Sequence, residues 1–313
     1  MKIENKKQIA AEIESYLSRH KITAQALSTK SGVNASVISA IRAGKNSIPA
    51  GAGKEVEIAD KYYEILAETM GLKLEKTYWE TKPTAQLGLI IATLADAKEF
   101  GYTNVIIGST GCGKTYAVDM FAKKHPQDVF KITVGASDSI GDLIDKITDE
   151  VKPTINAKGK SKKIKEVCQK LRIMKFNGLK PILMFDESEY MKLSALCAMK
   201  ELYDALNGVC GIVLVGTHQL IENIEKLKRR NKEGIPQLYR RIKFGIRMLP
   251  EIDRTFSDFI GEEDAHLTKF LRANCDNYGE LHDLLVPARR ESERTGEPLT
   301  EQFIRTVFNI NTL

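Results

Sequence analysis

The sequence predicts an α/β protein in which a five-stranded parallel sheet is flanked by helices. Between residues 84 and 250, short apolar runs typical of buried strands alternate with helical patterns, as expected of βαβ units. Residues 1–72 show only helical periodicity, interrupted by turn residues, and predict an all-α domain. Residues 251–313 are also helical by pattern and predict a small C-terminal domain. A linker is expected at 73–83.

The composition is that of a globular protein and gives no sign of membrane, secreted or zinc-binding classes. Hydrophobic residues make up 42% of the chain and charged residues 28%, as in ordinary globular proteins. The sequence shows no bilayer-length apolar run, no signal-peptide core and no paired spacing among its five cysteines. We therefore expect a cytoplasmic protein with reduced thiols, no membrane partner, no disulfide framework and no zinc site.

The net charge is only +6, but the basic residues are clustered. Residues 152–180 contain ten basic residues and one acidic residue, and residues 226–243 contain eight and one. Such clusters are typical of surfaces that bind a polyanion, although solvated helices can also carry them. A nucleic-acid partner is the interpretation that we favour.

Residues 23–42 have the pattern of a helix-turn-helix. Thr23 is placed to cap one short helix, Ser31–Val33 forms a turn, and Asn34 is placed to cap a helix over 35–42. In such motifs the second helix enters the major groove of DNA, although some similar bundles contact protein instead. A further helix is expected from Val56 to Met70. The exposed candidates for DNA contact are Asn34, Ser36, Ser39 and Arg42.

A glycine-rich loop follows the first predicted strand of the sheet and precedes a helical pattern. It matches G-x-x-x-x-G-K-[ST], a motif whose backbone N–H groups converge on a phosphate at a helix N-terminus. Lys114 is expected to reach the β- and γ-phosphates of ATP, and the Thr115 hydroxyl to bind Mg²⁺. The predicted nucleotide-binding residues of this stretch are Gly108, Ser109, Thr110, Gly111, Cys112, Gly113, Lys114, Thr115 and Tyr116.

Polar side chains also follow two later strands. Asp186 and Glu187 come directly after the apolar run 181–185, and Thr217 follows 211–216. Because the carboxyl ends of parallel strands meet at one edge of a sheet, these side chains should lie near the glycine-rich loop. We expect Asp186 to hold Mg²⁺ through water and Glu187 to polarise the attacking water. Thr217, or as a second choice His218, would orient that water.

Arg240 and Arg241 precede the last predicted strand, at 244–249. In oligomeric ATPases, arginines at such a position enter the neighbouring subunit's site and offset transition-state charge. We expect this role here and prefer Arg241; a nucleic-acid contact or a surface ion pair are the alternatives.

With these motifs the chain resembles the AAA+ ATPases. Together with the helix-turn-helix and a basic segment at 158–165, it resembles the Mu B-type transposition proteins over almost its full length. The resemblance implies an AAA+ core over 84–250 and an ATPase that assembles as helical filaments on double-stranded target DNA. It also implies that the protein delivers this DNA to a DDE transposase, which stimulates hydrolysis.

Within that resemblance, the basic segment is expected to be a mobile loop before a helix at 164–174. Its lysines would contact phosphates and give salt-sensitive binding with little sequence preference. The residues concerned are Lys158, Lys160, Lys162, Lys163 and Lys165.

The chain departs from the family at one position. Many members carry Gly-x-x-Arg where this chain has Gly279 to His282, so either His282 or a later arginine, Arg289 or Arg290, would approach the γ-phosphate. Two other functions share the core motifs: a replication initiator or helicase loader, and a nucleotide-switched regulator. The intact Asp186–Glu187 pair argues against a pure switch.

Overall fold

A computed structural model describes residues 3–49, 55–72, 78–154, 158–260 and 265–310. The chain divides into two compact units, Met1–Thr77 and Tyr78–Leu313. Residues 73–77, which belong to the predicted linker, lie outside the described ranges.

The first unit is mainly helical. It contains α1 (Ile3–His20), α2 (Ala24–Ser31), α3 (Ala35–Arg42), β1 (Ser47–Pro49), β2 (Glu55–Glu57) and α4 (Asp60–Met70). The Thr23 side chain accepts a hydrogen bond from the Ala26 N–H, and the Asn34 side chain accepts one from the Ser36 N–H. These caps supply partners for helix N–H groups that otherwise have none, which fixes where α2 and α3 begin.

The expectation of an all-α first domain was wrong in one detail. Strands β1 and β2 pair antiparallel, with Ser47 opposite Glu57, and α4 begins at Asp60 rather than Val56. Ile58 is buried and its N–H donates to the Asn46 carbonyl at 2.8 Å, which holds the chain extended up to the helix. An acidic residue in the first helical turn favours a start at Asp60.

The second unit is built on a parallel sheet. Its strands are β3 (Thr103–Ile107), β4 (Val129–Thr133), β5 (Ile182–Asp186), β6 (Gly211–Gly216) and β7 (Ile246–Met248). They pair in the order β4-β5-β6-β3-β7, with every pairing parallel. The predicted five-stranded parallel sheet is confirmed. Strand β7 is shorter than predicted because Lys243–Gly245 forms a 3₁₀ turn.

Helices cover both faces of this sheet. Ile106, Met184 and Val215 belong to a core beneath α5 (Ala85–Phe100) and α6 (Lys114–Lys124). Val105 and Leu183, one residue out of phase, belong to the larger core on the opposite face. The helices of that face are α7 (Ile140–Val151), α8 (Lys160–Phe176), α9 (Leu193–Leu206), α10 (His218–Arg229) and α11 (Ile235–Ile242).

Three more helices follow the sheet, namely α12 (Ala265–Asn274), α13 (Tyr278–Thr295) and α14 (Glu301–Phe308). They share a separate buried cluster that includes Phe256, Leu281 and Ile304. Among the described residues, no helix combines the length and apolar character needed to cross a membrane.

Candidate active site

The glycine-rich loop connects the end of β3 to the start of α6, as its spacing predicts. Gly111 and Gly113 have φ values of +72° and +91°, a backbone conformation that L side chains rarely adopt. Lys114 is buried, and its Nζ donates to the carbonyl oxygens of Gly108 at 2.9 Å and Ser109 at 2.8 Å. The ammonium group is therefore held inside the loop, where a phosphate could accept from it.

Asp186 ends β5 with its carboxylate buried. Its Oδ1 accepts from the Glu187 N–H at 3.1 Å, whereas Oδ2 has no hydrogen-bond partner among the described residues. The Lys131 Nζ lies 3.6 Å from Oδ2 and 2.5 Å from Asp119 Oδ1. A buried acceptor without a partner is costly, and metal-bound water would satisfy it. Asp186 and the exposed Thr115 hydroxyl thus fit a Mg²⁺ ion that phosphate oxygens also coordinate.

The described residues contain no cluster of three or more His, Cys, Asp or Glu side chains suited to hold a metal by themselves. An ion at Asp186 would therefore need ligands from the nucleotide. This is the usual arrangement for Mg²⁺ bound with phosphates.

Glu187 follows with a left-handed backbone, at φ 57° and ψ 36°. Burial, the Glu189 carboxylate and the Asp186 carboxylate together raise the pKa of Glu187 above its ordinary value. A raised pKa strengthens a carboxylate as a proton acceptor, as long as it stays ionised. Thr217 precedes α10, and its side chain forms no capping hydrogen bond there, while His218 is exposed in the first turn.

A cavity of about 450 Å³ lies beside the glycine-rich loop. Its lining includes the loop from Thr110 to Tyr116, the two carboxylates of Glu187 and Glu189, Thr217 and His282. Of the predicted strand-end residues, Glu187 and Thr217 line this cavity together with the loop, whereas Asp186 and His218 are not among its lining residues. Gly108 and Ser109 lie at the base of the loop, where their carbonyls hold Lys114.

Aromatic residues form one wall of the cavity. Trp79 stacks on Phe259 with ring centroids 4.7 Å apart, and the His282 ring meets Trp79 edge-on at 5.1 Å. His282 is half exposed, with Nδ1 2.9 Å from Asp283 Oδ1. Arg289 donates instead to the backbone carbonyls of Tyr78 and Phe259, and Arg290 is exposed. The Thr81 and Tyr116 hydroxyls are hydrogen-bonded to each other.

The start of α13 lies against the loop. The Gly279 N–H donates to the Gly111 carbonyl at 3.1 Å. A Cβ at Gly111 would come within 2.1 Å of Asn277 Oδ1, so only glycine fits there without rearrangement. The C-terminal helices therefore contact the phosphate-binding loop directly.

The two arginines of α11 differ in their surroundings. Arg241 pairs with Asp204 at 2.5 Å and lies over the Tyr203 ring, with only 16% of its side chain exposed. Arg240 is exposed and forms no ion pair within the described chain. The preference for Arg241 as the residue that reaches a neighbour does not suit these contacts, because Arg241 is already held within its own subunit.

The basic segment differs from the expected loop. Helix α8 begins at Lys160, so Lys160, Lys162, Lys163 and Lys165 lie in its first turns. Buried Ile164 and Val167 anchor this end of the helix, which explains why it extends four residues before the predicted start. Lys163 pairs with Asp145 at 2.6 Å, while Lys158 and the other three lysines are exposed.

In the first unit, the predicted DNA-contact residues are all exposed. Asn34 uses its side-chain oxygen as the α3 cap, and Ser36 and Ser39 lie on the solvent-facing side of that helix. The Arg42 guanidinium is held by Glu14, with Nε 2.9 Å from the carboxylate. Arg42 would have to leave this partner to reach a phosphate.

Sequence reasoning missed three residues at the site: Lys131, Glu189 and Asn277. Glu189 lies two residues after Glu187 and could have been flagged as a further carboxylate. Lys131 on a neighbouring strand and Asn277 after α12 carry no motif, and only the folded chain brings Lys131 to Asp186 and Asn277 to the loop.

The loop, the buried aspartate and the glutamate at the carboxyl edge of a parallel sheet define a P-loop ATPase. Residues 102–224 match the family model described as AAA domain. The chain is 26% identical, over 72% of its length and 72% of the relative's, to Mu-like prophage FluMu DNA transposition protein B of Haemophilus influenzae. Both comparisons support the interpretation of the chain as a Mu B-type AAA+ protein.

A solved structure agrees with the fold. Cdc6p from Pyrobaculum aerophilum aligns with a TM-score of 0.55 and 12% identity, over 74% of this chain and 68% of that one. The RuvB Holliday junction branch migration motor of Thermotoga maritima aligns with a TM-score of 0.44 and 14% identity, over 74% and 71%. At such identities the likeness to Cdc6p concerns the fold alone.

Proposed function

We propose that this ATPase binds double-stranded DNA with little sequence preference, assembles along it as a filament, and presents it to a DDE transposase. The observation that carries the DNA-binding part is the group of exposed lysines at the start of α8. The role in transposition rests on the similarity to a DNA transposition protein B.

The chemistry at the cavity is hydrolysis of ATP to ADP and phosphate. Lys114 binds the β- and γ-phosphates, while Thr115 and Asp186 would hold Mg²⁺, which would supply positive charge to offset the charge that develops during hydrolysis. Glu187 accepts a proton from the attacking water, and Thr217 fixes that water. His282 lines the cavity and takes the place of the family arginine. The remaining residues that we assign to nucleotide binding are Thr110 and Cys112 in the loop and Tyr116 in the first turn of α6.

The DNA interface is electrostatic. Lysines at a helix N-terminus oppose the positive end of the helix dipole, so this arrangement weakens the free helix. A phosphate backbone placed there would be attracted by the lysines and by the unpaired N–H groups of the first turn. Gly159 provides no side-chain cap that would compete for them. Asn34, Ser36, Ser39 and Arg42 form a second, weaker contact in this proposal.

Assembly would complete the ATP site. Arg240 is the cation that we assign to the neighbour's γ-phosphate, because it is exposed whereas Arg241 is paired with Asp204. Each added subunit then contributes weak phosphate contacts to the polymer, so binding along DNA exceeds the affinity of one subunit. Hydrolysis removes the γ-phosphate, which weakens the contact between subunits and, with it, the binding of the polymer to DNA.

Electron microscopy on random-sequence duplex DNA tests the proposal. We expect continuous helical filaments with ATP and none with ADP. A variant with Lys158, Lys160, Lys162 and Lys165 changed to Gln should lose the filaments. The control, Lys123 and Lys124 changed to Gln on the exposed end of α6, should keep them. Isolated rings or dimers at discrete sites would instead favour an initiator, a loader or a regulator.

A further inference from the structure

Three acidic side chains lie within four residues at the end of β5. The roles of two are described above, because Asp186 suits Mg²⁺ and Glu187 suits the attacking water. The third, Glu189, is 8% exposed, lines the same cavity, and has a buried Oε2 without a hydrogen-bond partner among the described residues. A buried carboxylate oxygen without a hydrogen-bond partner is unfavourable unless a bound molecule supplies the missing donor.

The surroundings of Glu189 show where the missing hydrogen bond would form. Its Oε2 lies 2.7 Å from the position of a Cβ built on Gly216, the last residue of β6. The Gly216 carbonyl accepts from the Gly108 N–H at 3.1 Å, so the carboxylate lies between the end of β6 and the start of the phosphate-binding loop. Thr217, the residue expected to fix the attacking water, follows directly.

No cation in the described chain accounts for Glu189. It forms no ion pair there, because Lys114 is bonded to loop carbonyls and Lys131 lies between Asp119 and Asp186. Asp186 Oδ2 is likewise without a hydrogen-bond partner, and the expected metal accounts for it. The two unsatisfied acceptors lie three residues apart at the end of β5, and Glu189 lines the cavity, which points to a shared cause: both oxygens gain a partner only when the substrate is bound.

We propose that Glu189 is a second catalytic carboxylate, which accepts a hydrogen bond from the attacking water while Glu187 accepts its proton. In this step the water oxygen bonds to the γ-phosphorus, and the bond from phosphorus to the bridging oxygen breaks. Its electron pair leaves with ADP, and the proton released by water goes to Glu187. Glu189 takes up no proton; it orients the water for in-line attack.

The test compares Glu189→Gln with the parent and with Glu225→Gln, a control on the exposed side of α10. Single-turnover hydrolysis is measured with Mg²⁺ and duplex DNA, and equilibrium binding with a non-hydrolysable ATP analogue. Binding of ADP with aluminium fluoride, a mimic of the transition state, requires no turnover. The inference rests on the ATPase chemistry, so failure of the filament experiment would leave it standing.

We expect Glu189→Gln to slow hydrolysis by roughly 10- to 100-fold. Binding of ADP with aluminium fluoride should weaken in proportion, while affinity for the ATP analogue stays within about 3-fold, because the hydrogen bond to the attacking water strengthens in the transition state. Unchanged hydrolysis would overturn the proposal. An equal decrease of affinity for both ligands would also overturn it, because that result marks a purely structural role.

Discussion

At the scale of single residues, the two arginines of α11 show how neighbours in sequence acquire different surroundings. Arg241 lies on the side of the helix that faces α9, where Asp204 and Tyr203 hold it, and Arg240 is turned to solvent. The sequence offers two adjacent guanidinium groups, and the expectation for Arg241 could not take its pairing with Asp204 into account, because the sequence does not show that contact. Helix phase relative to α9 decides between them, and this phase depends on packing.

We predict that Arg240→Ala and Arg241→Ala have separable effects. Arg240→Ala should leave the melting temperature unchanged but reduce hydrolysis by assembled protein by roughly 10³-fold or more, as loss of an arginine finger does. Arg241→Ala should lower the melting temperature, because it leaves the partly exposed Asp204 with Lys200 alone and exposes Tyr203. Steady-state ATPase assays with DNA and thermal denaturation measure the two effects.

A mixing experiment controls for this prediction. Lys114→Ala disables its own site but retains Arg240, and Arg240→Ala retains its own site. An equimolar mixture should therefore recover part of the activity that each variant lacks alone. If the mixture stays inactive, Arg240 does not act on the neighbouring subunit.

At the scale of elements, the phosphate-binding loop and α13 act as one unit. The Gly111 carbonyl accepts from Gly279, and Asn277 occupies the space beside the Gly111 Cα. Gly111→Ala should therefore weaken ATP binding for two reasons, a clash with Asn277 and strain at φ +72°. Asn277→Ala alone should have a mild effect, and the double variant should stay impaired because the strain persists. Titration with a fluorescent nucleotide measures the affinity of each variant. Full recovery of affinity in the double variant would contradict the strain argument.

The N-terminal lysines of α8 give a second prediction at this scale. Changing Lys160 and Lys162 to Gln should slightly stabilise the helix, since it removes cations from the positive end of its dipole, while it weakens DNA binding. The log–log salt slope should fall by roughly 0.9 for each DNA phosphate that the variant no longer neutralises. Filter binding at several salt concentrations measures this slope. An unchanged slope would exclude these two lysines from the interface.

How far the sequence could predict these elements depends on how local their causes are. Asn34 and Thr23 fix helix starts by hydrogen bonds to their own segment, so α2 and α3 were predicted almost residue for residue. The start of α8 was misplaced because lysines at a helix N-terminus contradict local preference, and burial of Ile164 and Val167 outweighs it. Strand β2 depends on pairing with β1, a contact that helical periodicity at Val56 does not show.

At the scale of the whole molecule, the two units have separate cores. The buried cluster of the first unit consists of residues between Ile9 and Met70, and the clusters of the second begin at Ile90. Within the described ranges, the residues that line the cavity at the phosphate-binding loop all lie from Trp79 onward. Ligand binding therefore stabilises the second unit directly and does not directly stabilise the first.

This separation predicts two unfolding transitions in calorimetry of the full chain, of which Mg²⁺ with a non-hydrolysable ATP analogue shifts only one. At a ligand concentration of 100 times Kd the stabilisation is about 2.7 kcal/mol. For a domain the size of the second unit, this raises its Tm by roughly 5–10 °C. The Lys114→Ala variant serves as the control, because it should show both transitions and no shift. A single transition that moves as a whole with nucleotide would mean that the first unit depends on the second for its stability, and that ATP controls both.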